Sequence, residues 1–207
     1  MLVKSFPEYF GTYKIYETVR AILEKNMRKS DISRVESDLE QMGATPETLL
    51  RSLGQAIRKH VSSSKASSIL LSIKNALAKL IDVEIEPKEI MIKKNGKEVL
   101  KVRVSNNLDD LFKVRVGIKQ IDRTNSSLIH HTLKGYGVSK MIKSAIIKPG
   151  QAHTFKFIIK PDIFDIGDLY ELRKNKKLDV KLGVQVEMAG IDGLKTPVER
   201  LKLTITE

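Results

Sequence analysis

The run Leu100-Lys101-Val102-Arg103-Val104-Ser105, then Asn106-Asn107-Leu108-Asp109-Asp110, then Phe112-Lys113-Val114-Arg115-Val116-Gly117-Ile118-Lys119-Gln120 decides the fold class. Leu100, Val102 and Val104 alternate with Lys101 and Arg103. After the interruption, Phe112, Val114, Val116 and Ile118 alternate with Lys113, Arg115 and Lys119. Successive side chains of a strand face opposite sides, so a period of two describes two strands that each bury one face. Asn106, Asn107, Asp109 and Asp110 between them favour a turn, because their short polar side chains bond to nearby backbone. This pattern specifies strands and no chemistry.

Working outward, a first strand is expected through Glu84 to Lys93, with Asn95-Gly96 as its turn. Beyond Gln120 an irregular stretch runs from Arg123 to Val138. Met141 to Ile147 then leads to Lys148-Pro149-Gly150-Gln151, and Phe155, Phe157 and Ile159 alternate with Thr154, Lys156 and Lys160. Pro161 to Lys174 reads as a short helical insertion. Val180, Leu182, Val184 and Val186 make the next strand, and Leu201, Leu203 and Ile205 the last. About seven short strands separated by turn signals imply two sheets packed as a sandwich with Greek-key connections.

Before Val83 the period is helical. Tyr13, Tyr16, Val19, Ile22, Leu23 and Met27 recur at helical spacing over Thr12 to Lys29. Ser30 is positioned to cap a second helix with Ile32, Val35, Leu39 and Met42 inward, and Gly43 to end it. Thr45-Pro46-Glu47-Thr48 is a helix start, with a hydroxyl cap, Pro at the first helical position and an acid near the positive end. Leu49, Leu50, Leu53, Ile57 and Val61 follow as a buried stripe. After Ser62-Ser63-Ser64, a fourth helix carries Ile69, Leu70, Ile73, Leu77, Leu80 and Ile81. The expected fold is therefore α+β in two parts: a helical bundle over 1–83, and an antiparallel sandwich over 84–207.

Val102-Arg103-Val104-Ser105-Asn106-Asn107, Lys113-Val114-Arg115-Val116-Gly117-Ile118 and Ile147-Lys148-Pro149-Gly150-Gln151-Ala152-His153-Thr154-Phe155 together resemble the immunoglobulin-like sandwich domains of the cell-adhesion-related (CARDB) and fibronectin type III sort. In those domains a Pro-Gly turn often precedes a strand near the middle of the fold. The resemblance covers roughly Glu84 to Glu207 and is one of fold. The sequence departs from it in having no core Trp, no Cys pair and a helical insertion.

Composition narrows the function classes. The chain of 207 residues has no Cys, which removes disulfides, thiolate metal sites and cysteine nucleophiles together. No apolar run reaches the length of a membrane span, and Lys74 and Lys79 break Ala66 to Ile81, the longest candidate. The first eight residues lack the uninterrupted apolar region of a secretory signal, so a cytoplasmic location without membrane contact is expected. Heavy use of Lys, Ile and Glu is similar to thermophile composition. A formal charge of +12 favours polyanionic partners. Residues 1–83 hold 13 basic and 9 acidic residues, a net of +4, and the remainder 24 and 16, a net of +8. The charge is spread along the chain rather than gathered in a tail.

Four candidate sites stand out. Asp31 to Lys59 fits a helix-turn-helix: Thr48, Arg51, Ser52 and Gln55 would face bases and Arg58 and Lys59 phosphate. Glu47 at the start of that helix opposes DNA, and ordinary bundles carry the same punctuation. Lys134-Gly135-Tyr136-Gly137, with Lys140 and Lys143, offers Lys134 and a Tyr136 platform for a single strand, though a lone Gly-x-Gly without strand-to-helix context also describes a plain loop. Asp162, Asp165 and Asp168 have the oxygen donors of a cation site without the spacing of a calcium loop, and Asp168 with Glu171 equally fits a capping box. The fourth is a sheet face. If the Phe112 to Gln120 strand neighbours that of Lys177 to Glu187, and this one that of Arg200 to Glu207, then Lys113, Arg115, Lys119, Lys181, Arg200 and Lys202 share one surface with Asp179, Gln185 and Glu187 between them. Such charges also guard a sheet against edge-to-edge aggregation.

His60, His130, His131 and His153 form no Ser/His/Asp grouping, no nucleophile elbow is present, and no carboxylates are paired for acid/base work. No cofactor or metal is expected. The reading is a non-enzymatic binding or scaffold protein acting through protein contacts, with self-association compatible with such surfaces. Nucleic-acid binding is the alternative, and a structural subunit of a larger assembly is a third.

Overall fold

The computed structural model describes residues 7–121, 140–161, 163, 165–191 and 194–207, and the side chains of 140 and 141 lie outside that description. A short 3-10 turn, Glu8–Phe10, precedes α1 (Tyr13–Asn26). Thr12 caps α1 by accepting from the Ile15 amide at 3.2 Å, which satisfies one of the amides that a helix start leaves without an intrahelical partner. Ile15, Val19 and Leu23 form its buried stripe. α2 (Lys29–Gln41) buries Ile32, Val35 and Leu39. Ser30 is not its cap. The Asp31 and Ile32 amides both close onto the Arg28 carbonyl, at 3.0 and 3.1 Å, so the helix starts at Lys29 with Arg28 in the cap position.

Gly43, at φ +59°, turns the chain out of α2 through the left-handed conformation that a glycine adopts without a Cβ clash. The Thr45 amide then donates to the Thr48 hydroxyl at 2.9 Å, and a 3-10 turn over Pro46–Thr48 opens α3 (Leu49–His60). Ser62 caps α4 (Ser63–Ala78). α3 and α4 meet closely at Gly54, where a Cβ would stand 3.1 Å from Leu70 Cδ2. α2 and α3 are tied by Asp38, which accepts from Lys59 Nζ and pairs with His60 Nε2, both at 2.8 Å. Hydrogen bonds from Lys59 and His60 hold the Asp38 carboxyl below its ordinary pKa.

The period changes at Ile81, two residues before Val83. The single strand expected over Glu84 to Lys93 is two: β1 (Ile81–Glu86) and β2 (Glu89–Lys93). Pro87 lies between them, after a cis peptide bond. Having no amide, it cannot continue a ladder, and the chain changes sheets there. β3 (Glu98–Asn106), β4 (Phe112–Gln120), β5 (Lys140–Ile147), β6 (Ala152–Ile159), β7 (Lys177–Met188) and β8 (Glu199–Thr206) follow, giving eight strands among the described residues rather than about seven. α5 (Ile166–Asn175) sits between β6 and β7. Its cap is Asp165, which accepts from the Gly167 and Asp168 amides at 2.9 and 3.1 Å, so the capping position lies three residues before Asp168.

One sheet has the order β1-β3-β6 and the other β2-β8-β7-β4-β5. Every neighbour is antiparallel except β2, which runs parallel to β8. β3 and β4 therefore belong to different sheets, and β7 lies between β4 and β8, the neighbour order expected from the sequence. Leu100, Val102 and Val104 of β3, Phe155, Phe157 and Ile159 of β6, and Val114, Val116 and Ile118 of β4 join one apolar cluster with the inward residues of β7, β8 and the helices. Each such side chain, fully buried, contributes about 1.5–3 kcal/mol.

Candidate functional site: the outer face of the five-stranded sheet

Burying one face of a strand sends every second residue to the other. On the five-stranded sheet this exposes Lys113, Arg115 and Lys119 of β4, Asp179 and Lys181 of β7, and Arg200 and Lys202 of β8. The ladder then sets rows across the strands. Lys119 pairs in register with Gly183, and Gly183 with Arg200, so two cations flank a residue with no side chain. Lys181 stands directly opposite Lys202, an arrangement of like charges that destabilises a ladder by a few tenths of a kcal/mol or more. On β5, Ile142 is opposite Gly117 and Ile146 opposite Lys113, and both isoleucines are exposed.

Carboxylates neutralise only part of this face. Glu187 lies 3.8 Å from Arg115 and 3.9 Å from Lys195, and Asp179 lies 3.3 Å from Lys202. The Thr204 hydroxyl, donating to Asp179 at 2.7 Å, and then Lys202 hold that carboxyl below its ordinary pKa. Among the described residues Lys113, Lys119 and Arg200 have no carboxylate at ion-pair distance. The three-stranded sheet behaves differently. Its β1 places Glu84 opposite Arg103, bonded at 2.9 Å, and Glu86 opposite Lys101, so much of its charge cancels within the sheet.

Two shallow hollows lie side by side on the basic face and share Lys119. One, of about 120 Å³, is floored by Gly117 and Gly183 and walled by Arg115, Lys119, Ile142, Gln185 and Glu187. The other, of about 520 Å³, is lined by Lys119, Ile121, Lys181, Val198 and Arg200, without a carboxylate. Gly183 makes this relief: a Cβ there would stand 2.8 Å from Val198 Cγ1 and 3.0 Å from Ile121 Cγ2, so those two side chains lie over the strand where a side chain would otherwise be. Gly183, Val198 and Ile121 carry no recognisable sequence signal, because only the register across three strands brings them together.

The other candidates fare differently. Arg51, Gln55 and Arg58 are exposed on α3, at spacings of four and three residues that form one stripe. Ser52, expected to face outward with them, is buried, because α3 packs on both α2 and α4. Lys59 is engaged by Asp38 rather than presented to phosphate. Lys134 and Tyr136 lie outside the described residues, as do His130, His131 and Asp162. The Lys143 ammonium donates to the Lys156 carbonyl and lies over the Phe157 ring, which ties β5 to β6 across the two sheets. Asp165 is committed to capping α5. His60 is part of the α2–α3 clamp. Among the described residues no helix is long and apolar enough to cross a membrane. The Tyr9 phenol is pushed up to about 12, first by burial and then by Glu36 and Glu40, so it holds its proton at neutral pH.

No family model matches the chain, and no curated protein matches it. Solved structures with partial likeness include a β-glucosidase from Listeria innocua in complex with glucose, at 9% identity and a TM-score of 0.38 over 61% of this chain and 16% of that one. Another is native alpha-2-macroglobulin from Escherichia coli, from domain MG7 to the C-terminus, at 11% identity and a TM-score of 0.38 over 60% of this chain and 16% of that one. A third is AvmM, which catalyses macrocyclization in alchivemycin A biosynthesis, at 8% identity and a TM-score of 0.37 over 62% of this chain and 89% of that one. The chain thus spans less than a fifth of the glucosidase and macroglobulin chains it resembles.

Proposed function

We propose that this is a non-enzymatic binding protein in which residues 84–207 form an immunoglobulin-like sandwich and the outer face of its five-stranded sheet receives an anionic partner. Strand order supports the sandwich. The chain changes sheets between β1 and β2, β2 and β3, β3 and β4, β5 and β6, and β6 and β7, as Greek-key connections do. The CARDB and fibronectin type III likeness is the finer assignment within that class, supported by the Pro149-Gly150 turn, with Gly150 at φ +67°, ahead of β6. The helices over 1–83 supply a second surface.

The observation that carries the functional reading is the row Lys119, Gly183, Arg200, in which two cations without a carboxylate partner among the described residues converge on an open hollow. A face that concentrates like charge raises the local concentration of anions and speeds their association. The hollows are shallow features of a sheet surface, the form of a docking site rather than of a catalytic cleft.

Nucleic-acid binding through α3 is the second reading, favoured by the exposed stripe Arg51, Gln55, Arg58. One titration separates the two. Nuclease-treated full-length protein is titrated into labelled polyglutamate and labelled duplex DNA at low and near-physiological salt. Binding that weakens with salt, falls at least tenfold in Lys119→Glu/Arg200→Glu and is unchanged in Arg51→Glu/Arg58→Glu supports the sheet face. The reverse pattern moves the site to α3, and no binding at low salt removes both readings.

A further inference from the structure

We infer that the partner of this face is an acidic polypeptide segment of the pattern acid-x-aliphatic-x-acid, lying extended along β4 with its aliphatic side chain in the hollow over Gly117; this rests on the anion-binding reading above. Along β4 the outward positions are Lys113, Arg115, Gly117 and Lys119. Cation, hollow and cation therefore repeat at every second residue. An extended peptide also presents every second side chain to one side, at about 6.8 Å intervals, so its period matches that of the strand beneath it. With an aliphatic residue over Gly117, the residues two before and two after it stand over Arg115 and Lys119.

The hollow suits one such side chain. Its volume is about 120 Å³, its floor is glycine backbone, and Ile142 of β5 forms an apolar wall in register with Gly117. Exposed Ile146, beside Lys113, extends the same mixture of apolar and basic groups toward the edge of the sheet.

Two features favour a polypeptide over a nucleic acid. The outward residues of β4, β7 and β8 include no aromatic side chain on which a base could stack, and stacking supplies much of the affinity of single-strand binders. The hollow over Gly117, with its Ile142 wall, also places an uncharged, partly apolar position between Arg115 and Lys119. A peptide of alternating acidic and aliphatic residues matches that spacing, whereas a backbone charged at every phosphate does not.

The test is fluorescence anisotropy with the full chain at near-physiological and low salt, using three labelled probes. The first is a twelve-residue peptide with glutamates flanking leucine at alternate positions, the second has serine in place of leucine, and the third is single-stranded RNA of equal charge. The leucine peptide is expected to bind at least tenfold more tightly than either other probe. Lys119→Glu should remove binding, and Gly117→Val should erase the difference between the two peptides by filling the hollow. Should Gly117→Val fail to fold, Ile142→Ser gives the same readout by removing the apolar wall. RNA binding as tightly as the leucine peptide, or equal binding of the two peptides, overturns the inference while leaving the anion-binding face in place. Failure of all three probes at low salt overturns the anion-binding reading itself.

Discussion

The side-chain amide of Asn106, the last residue of β3, donates to the carbonyl of Ile147, the last residue of β5, at 2.9 Å and so joins the two sheets. The same amide donates to the Asp110 carbonyl at 2.8 Å, and its oxygen accepts from the Leu108 amide at 2.8 Å. Asn106 is fully buried. Removing its side chain takes this partner from two carbonyls and an amide. Buried polar groups left unpaired cost about 1–3 kcal/mol each, so Asn106→Ala should lower unfolding stability by roughly 2–5 kcal/mol in urea titrations. Asn106→Asp should be at least as damaging at neutral pH, because a carboxylate cannot donate to either carbonyl.

Asp38 predicts an acid-dependent loss of stability. Lys59 and His60 favour its charged form in the folded chain and depress its pKa. The stabilisation is therefore complete above the unfolded carboxyl value, about 3.9, and disappears as pH falls through the lower folded value. Thermal unfolding at pH 7, 5, 3 and 2 should show Asp38→Asn less stable than the parent at pH 7, with the difference closing in strong acid. A difference that persists unchanged to pH 2 would show that the carboxylate charge is not what ties α2 to α3.

Gly183 predicts a coupling. Adding a Cβ forces Val198 to move from 2.8 Å, and overpacking of this kind costs about 1–3 kcal/mol. Because Val198 is partly exposed, Gly183→Ala should fall near the lower limit. Val198→Ala in the same chain should recover part of the loss, so that a double-mutant cycle on unfolding free energies gives a non-additive term. Additive effects would mean that the two residues do not contend for the same space.

Glu187→Gln separates stability from binding. Its ion pairs are long and partly exposed, and such pairs contribute about 0–1 kcal/mol, so the unfolding midpoint should barely move. Arg115 and Lys195 lose their carboxylate, and affinity for an acidic peptide should rise a few-fold at low salt. Unchanged or weaker peptide binding would place the contact elsewhere than this end of the face.

The sequence by itself determined the elements and which side of each is buried. Alternation over Leu100–Val104 and Phe112–Ile118, and the helical stripes through Val19 and Leu23 and from Ile32, Leu49 and Ile69, are local patterns, although Tyr13, expected in the first stripe, is exposed and Ile15 is buried in its place. They follow from the periods of strand and helix, and need no knowledge of what packs where. Most of the cations of the candidate face were legible for the same reason, since Lys113, Arg115, Lys119, Lys181 and Lys202 all occupy outward positions of alternating runs.

Tertiary structure alone decided the rest. It split 84–93 at Pro87 and sent β2 beside β8, turned Ser52 inward between helices, and gave Lys59 and His60 to Asp38. It also set Lys119, Gly183 and Arg200 in one row, and converted Asn106 from a turn former into the buried tie between sheets. Each of these depends on partners distant in the chain, up to the 113 residues that separate Glu89 from Lys202. A period reports which way a side chain points, whereas register, pairing and the cancellation of charge depend on which other strand or helix it meets.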